Sequence, residues 1–490
     1  MRSSKRSFAA GAGRALALTS LFLVACNSDE KPQSPSVGPV GGLRAVDWTM
    51  LGYDLGSTYW NKAETKISTA NASALAKVWE FDTKSGVTAT PVISGGRVYV
   101  SSNAAPSAED PNVINGGLIA IDLVSGSEVW RNTDAGGVSS LALDGTTLYM
   151  HDQTGTVRAF DINDNGRELW NYKSDENPNV GGFSSPIVTK DLVLVGGSGL
   201  EEVGLAPGTP ATFRGFVLAL HKDGSLAWKK YTVEPPSTGC GIWSTLSANE
   251  PDGLVVASTG NNYTGTPTDT SDAFLGLPLA DGADFRWKAQ ILEGDVYTTR
   301  QSNGNPDGDF GANPILFEVN GQKLAAGGAK MGDVFVVDRS DGTIIKQRNL
   351  GPPSAYKGGV FNNGAWDGSS LLILVNGAQS TGPGSDPAAV AFNVATLFAL
   401  DPLTLDIKWE RAVVGPAFGP ISVANGVGFF GKNTVLQAFD TATGDVLFEY
   451  QTEGTISTAP SVSDGYVIFG SGMPWIQSVN GSKYYALKVP

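Results

Sequence analysis

The sequence predicts an all-β chain, an eight-bladed β-propeller whose ring is closed by strands from its two ends. Three observations lead there: a composition crowded with turn residues, a hairpin unit that recurs along the chain, and two half-units at the ends that complete each other. Of 490 residues, 62 are Gly and 27 Pro, well above the usual share of these two types. With 41% apolar residues the chain can bury a large core, which excludes disorder for its bulk. A length of 490 residues exceeds one ordinary domain of about 100–200 residues, so the chain is either several domains or one domain built from repeats.

The repeats decide between these. A strand, an Asp, a Gly-containing turn and a second strand ending in an aromatic residue recur as LIAIDLVSGSEVW (118–130), VRAFDINDNGRELW (157–170) and VLALHKDGSLAW (217–228). Looser copies are AFLGLPLADGADFRW (273–287) and VFVVDRSDGTIIKQ (334–347), followed by LFALDPLTLDIKW (397–409) and LQAFDTATGDVLF (436–448). Period-2 alternation around an Asp/Gly turn reads as a β-hairpin. The chain ends on YYALKVP (484–490), a first strand lacking its second, and opens with ALAKVWEF (74–81), a second strand lacking its first. Pairing these two gives the eighth unit.

Before each hairpin comes a short strand, a turn and a more apolar strand. Clear copies start at Thr90, Ser185, Asn313, Gly419 and Ala459, and weaker ones near Ser139, Ser244 and Asn363. Four strands in each of eight units make a ring without long exposed sheet edges. The aromatic residues at Trp79, Trp130, Trp170, Trp228, Trp287, Trp409 and Phe448 are read as structural, each packing between neighbouring sheets, with an indole N–H for a backbone carbonyl. Gln347 breaks this pattern and predicts a looser seam at its position.

The N-terminus reads as an address. Arg2, Lys5, Arg6 and Arg14 precede the apolar run 15–25, too short for a mature spanning helix and ordered as a secretory signal. Its end, Leu23-Val24-Ala25-Cys26, resembles a bacterial lipoprotein signal. That resemblance implies lipidation of Cys26, a flexible tether over 26–43, and a protein anchored by lipid at the periplasmic face of the cell envelope. Asn27 after the cysteine points to the outer membrane. Losing residues 1–25 removes those four positive charges and no negative one, taking the net charge of −14 down by four, to −18. So acidic a chain has no footprint for nucleic acid. Cys240 is then the lone cysteine. With only His151 and His221 for histidines, both read as structural, a zinc or copper site is not expected. There is no CxxCH haem motif.

Over residues 47–490 the hairpins, the leading segment DWTMLGYDLGSTYW (47–60), and the stretches GIWSTLSANEPDGLVVASTGNNY (241–263) and NPDGDFGANPIL (305–316) resemble the quinoprotein dehydrogenases. Their prosthetic group is pyrroloquinoline quinone (PQQ), and the polyvinyl-alcohol dehydrogenase branch fits best. The resemblance implies Ca²⁺ held against the quinone, with Glu201 in SGLEEVG and Asn261 in STGNNY as ligands, both of them also cofactor-binding; oxygen donors suit a hard dication. It places Asp309 in GDFG as the general base that takes the hydroxyl proton, and as a further metal ligand. Asp307 is the competing register for that base. Trp243 is implied as the platform under the flat quinone, and Lys330 as the cation facing its oxygens, where reduction builds negative charge. Lys357 and Arg214 are weaker candidates for the cofactor's carboxylates.

Departures from the family are equally legible. The adjacent cysteine pair of many relatives is missing, and residues 100–117 contain no Cys, Arg or Lys. The expectation is a periplasmic, PQQ-dependent alcohol dehydrogenase acting on a small or polymeric alcohol. Its electrons pass to an external acceptor, cytochrome c or a quinone. The alternative is a non-catalytic propeller lipoprotein serving as an envelope scaffold of the outer-membrane barrel-assembly type.

Overall fold

A computed structural model describes residues 42–201, 209–298, 301–302, 308–351, 358–377, 394–472 and 481–490. The signal segment and most of the tether, Cys26 included, lie outside them. The eight predicted units are present as eight sheets with a four-stranded antiparallel core. Two of them carry a short fifth strand: Trp60–Asn61, parallel, on the seventh and Val180–Gly181 on the third. In chain order their hairpins give blades one to seven, from Val92–Ser94 through Val446–Gln451. Blade eight joins Ser461–Ser463, Tyr466–Ser471 and Lys483–Lys488 to Ala76–Asp82, with Phe81 opposite Tyr484.

The first strand of each blade is the inner one and is buried, as in Val92–Ser94 and Ser461–Ser463. The fourth is the outer one and alternates in exposure, as in Arg167–Lys173. The aromatic residues do what the repeat predicted. Six outer strands carry a one-residue bulge just before their aromatic position, as between Glu168 and Trp170 or Lys77 and Trp79, and the bulge re-aims that side chain. Trp79, Trp170, Trp228, Trp287 and Trp409 donate Nε1–H to backbone carbonyls of the next blade at 2.9–3.1 Å. Each indole lies on the turn glycine of that blade: a Cβ on Gly126 would come within 2.5 Å of Trp79, and one on Gly342 within 2.8 Å of Trp287. These glycines also have positive φ (70° and 78°), so the turn needs glycine for its backbone and for the space.

The seam between blades five and six is built differently. The residue in register with the docking tryptophans here is Lys346, opposite Val336 just after the bulge and one place before the expected Gln347. Both side chains are exposed, and Gln347 bonds Asp333 Oδ1 at 3.1 Å. Across the seam, Leu405 replaces the glycine, in the same turn (N–H to Asp401 O, 3.0 Å) and with φ 57°. It is fully buried, with Val334, Val336 and Leu400 in one apolar cluster. Arg348 donates across the same seam to a different carbonyl of that turn, Leu405 O, at 2.9 Å. The expected looser seam is therefore filled from the opposite side.

Inside the ring two layers close the axis. A belt of hydrogen bonds links the blades at the start of their inner strands. Thr90 N–H donates to Ser140 Oγ (2.9 Å), Ser140 to Ser185 (2.9 Å), Ser185 to Thr245 (3.0 Å), Thr245 to Asn313 Oδ1 (2.8 Å), and Asn313 to Asn363 Oδ1. Below the belt, an N-terminal strap crosses successive inner strands. Carbonyls of Thr49, Leu55, Gly56, Thr58 and Tyr59 accept from Leu143, Ala248, Leu316, Trp366 and Val423 at 2.7–3.0 Å. The Tyr59 hydroxyl, fully buried, accepts from Asn363 Nδ2 at 2.6 Å and Asn313 Nδ2 at 3.3 Å. Strap and tyrosine form a floor, and chemistry is left to the other end of the axis.

Candidate functional site

Four sequence-predicted residues come together at that other end, on blades four and five. Trp243 precedes the inner strand Ser247–Asn249, and Asn261 follows the second strand Leu254–Ser258. Asp309 precedes Ile315–Val319, and Lys330 follows Gln322–Gly328. Each therefore leaves its sheet on the side where inner strands begin and second strands finish.

The contacts are direct. Lys330 Nζ donates to Asp309 Oδ2 at 2.7 Å, with side-chain exposures of 6% and 1%. Lys330 N–H donates to the Asp309 carbonyl at 3.0 Å. Asp309 Oδ1 accepts from the Asn261 backbone N–H at 2.8 Å. A Cβ on Gly260 would lie 2.3 Å from this oxygen, so glycine is required for the carboxylate's approach. Lys330 Nζ lies 5.3 Å from the Trp243 ring centroid, within cation–π range. Behind Trp243, Phe361 packs at 5.6 Å and Phe418 against Phe361 at 6.0 Å. The Trp243 Nε1–H is buried with no acceptor among the described residues.

Two oxygens stand out. Asn261 is fully buried and donates both Nδ2 hydrogens, to Asn262 O and Tyr297 O at 2.6 Å each, which fixes its amide orientation. Its Oδ1 meets no donor among the described residues, a state that costs roughly 1–3 kcal/mol when nothing compensates. Asp295, which the sequence reading missed, is also fully buried. Its Oδ2 accepts from Gly308 N–H at 2.9 Å, while Oδ1 meets no donor among the described residues. Burial raises the Asp295 carboxyl to about 6; the charge of Asp309 adds to this and Lys330 opposes it.

Glu201, the metal ligand that the resemblance implied, is hydrogen-bonded through both carboxylate oxygens. It is buried, and Oε1 accepts from Asn179 Nδ2 and Thr212 Oγ1 at 2.7 Å each, while Oε2 accepts from the backbone N–H groups of Thr212 (2.7 Å) and Phe213 (2.9 Å). Both oxygens are committed to clamping the loop before Phe213. A cation could use them only by displacing those donors. Asp307 and Lys357 lie outside the described residues. Arg214 stacks on Tyr231 at 3.9 Å and bonds Val233 O. Burial pushes the Cys240 thiol well up, which makes it unreactive.

The donor set fits the groups that the resemblance implies. A hard cation needs oxygen ligands, and Asn261 Oδ1 and Asp295 Oδ1 are buried oxygens without donors. A flat quinone fits the partly buried face of Trp243, with the Lys330 ammonium above the ring to meet its oxygens.

Residues 44–273 and 330–487 match the family PQQ_2, described as outer membrane protein assembly factor BamB. The chain belongs to this family. Within and around it, the chain is 25% identical to a polyvinylalcohol dehydrogenase from a Pseudomonas species over 449 residues, covering 83% of this chain and 68% of that one. It is 32% identical to the Escherichia coli outer membrane protein assembly factor BamB over 143 residues, 29% of this chain and 30% of the relative. The crystal structure of quinohemoprotein alcohol dehydrogenase from Comamonas testosteroni superposes with a TM-score of 0.71 at 21% identity, covering 90% of this chain and 80% of the other. At that identity the likeness speaks for the fold. The family match leaves out 274–329, the span that holds Asp295 and Asp309.

Proposed function

We propose that the protein is a PQQ-dependent alcohol dehydrogenase of the cell envelope, Ca²⁺-assisted, lipid-anchored through Cys26 and passing electrons to a separate acceptor such as cytochrome c or a quinone. One observation carries the reading: a buried Asp309–Lys330 pair beside an aromatic platform and a donor-free amide oxygen. A scaffold gains nothing from such an arrangement, because a buried ion pair is weak as a source of stability. The bound quinone would supply the hydride acceptor. Asp309, oriented by Asn261 N–H and charge-balanced by Lys330, would take the substrate's hydroxyl proton. Lys330 would oppose negative charge developing above the Trp243 face, and Trp243 with Phe361 and Phe418 would shield that face from water. The polyvinylalcohol dehydrogenase likeness supports an alcohol substrate, small or polymeric.

The test is a PQQ titration of the mature protein with and without Ca²⁺, followed by Trp fluorescence and then by dye reduction with a panel of alcohols. Saturable, Ca²⁺-dependent quenching is expected. Asp309→Asn is expected to lower dye-linked oxidation by about 10²–10⁴-fold while PQQ still binds. Absence of binding at micromolar PQQ would overturn the reading. It would favour the second one, an envelope scaffold, for which the family description and the partial Escherichia coli match speak.

A further inference from the structure

We infer that the cation of this site takes its carboxylate ligand from Asp295, beside the Asn261 amide oxygen, and not from Glu201; the inference rests on the dehydrogenase reading above. Three independent features converge. A parallel bridge pairs Asn262 with Val296, which sets Asn261 alongside Asp295, one step back on each strand. The Asn261 amide is locked by its two bonds to the Asn262 and Tyr297 carbonyls. Turning it over would set its oxygen against both of them, so Oδ1 is the atom it presents. Asp295 is held through Oδ2 by Gly308 N–H, leaving Oδ1 as the second buried oxygen without a donor among the described residues.

Two oxygens of this kind on adjacent residues, one from an amide and one from a carboxylate, are what a hard cation uses. Neutral donors in place of the cation are missing on both: neither oxygen has an N–H or O–H from the described residues to meet it. Glu201, in contrast, would have to give up two backbone donors and two side-chain donors to ligate. Roles then divide within the site. Asp309, bonded to Lys330 through Oδ2 and to Asn261 N–H through Oδ1, stays available for proton handling, while Asp295 and Asn261 hold the metal.

The experiment uses mature, PQQ-free protein with Ca²⁺ as ligand and Tb³⁺ as a luminescent probe excited through tryptophan. Wild type, Asp295→Asn and Glu201→Gln are compared, with thermal melts in the absence and presence of Ca²⁺. Asp295→Asn is expected to weaken Ca²⁺ and Tb³⁺ binding by at least about tenfold, since a charged ligand is lost. Without metal it is expected to melt no lower than wild type, because it removes an uncompensated buried charge. Ca²⁺ should then no longer raise its melting temperature. Glu201→Gln is expected to melt lower, through its damaged clamp, and to keep metal affinity within about twofold. Affinity of Asp295→Asn within twofold of wild type, or loss of binding in Glu201→Gln while it remains folded, overturns the inference. If wild type binds PQQ and Ca²⁺ but Asp295→Asn is unaltered, only the ligand assignment falls. If wild type binds neither, the dehydrogenase reading falls with it.

Discussion

The seam between blades four and five and the seam between blades five and six solve one packing problem in opposite ways. In the first, Trp287 reaches across, lies on Gly342 and donates to Arg339 O at 2.9 Å. In the second, nothing reaches across from the Trp position. Leu405 fills the space from the far side, on a turn whose φ of 57° would ordinarily be given to glycine. One bulky apolar side chain fills each seam, carried by the outer strand in the first and by the facing turn in the second. A seam therefore tolerates either arrangement provided the two sides change together.

That comparison can be broken or sharpened by measurement. The largest effect is expected for Trp287→Ala, which removes a buried indole from a glycine-shaped seat and should cost about 3–5 kcal/mol in chemical denaturation. Lys346→Ala at the corresponding exposed position should stay within about 0.5 kcal/mol. Equal losses at the two positions would show that the seams are not alternatives. Next comes Leu405→Ala, expected to cost about 2–4 kcal/mol through its cavity. Lys346→Trp alone should destabilise by overpacking against Leu405. Combined with Leu405→Gly it should recover part of that loss, with a coupling of about 0.5–3 kcal/mol in a double-mutant cycle. Strict additivity would sink the exchange idea.

A smaller effect separates the regular side of the ring by pH. His151, fully buried near the belt with Nδ1 3.3 Å from Ser184 O, has its pKa lowered by burial to about 4. A group held neutral in the fold and free to charge in the unfolded chain adds stability above its ordinary value near 6.5, and this is lost as pH falls from there towards 4. The loss should reach up to about 3 kcal/mol. His151→Gln should flatten that acid limb of the melting-temperature profile, whereas Leu405→Ala should leave its shape unaltered. An acid limb that persists in His151→Gln would place the sensitivity elsewhere.

How much of this was legible in the sequence follows from what repeats. The eight units and the docking tryptophans could be read because one residue type returns at one place in each hairpin. The break could be read to within one residue, at Gln347 where the register puts Lys346, but not its repair, since Leu405 lies in the next repeat and looks like an ordinary strand residue. Trp243, Asn261, Asp309 and Lys330 could be picked out by their order in the family resemblance, and their meeting depends on strand ends that the repeat does place. Asp295 escaped because it falls on an excursion beyond the fourth blade, outside any repeated unit. Only the Asn262–Val296 bridge and the Gly308 N–H bring it to the site. An acidic residue amid Ile291, Leu292, Val296 and Tyr297 was the available signal. The surroundings of Glu201 were hidden for the converse reason: its motif is local, while donors to its oxygens arrive from Asn179, Thr212 and Phe213.

The pairing of Ala76–Asp82 with Lys483–Lys488 carries a consequence for the chain's birth. The eighth sheet cannot form until residues 461–488 have been synthesised, so during translation seven blades must wait with an open edge at each end of the arc. Contacts spanning some 400 residues, such as Phe81 with Tyr484, make ring closure a late and slow event. The unpaired inner edges are then the surfaces most exposed to misassembly. A chain truncated by even its last strand would lose its fastener along with its length.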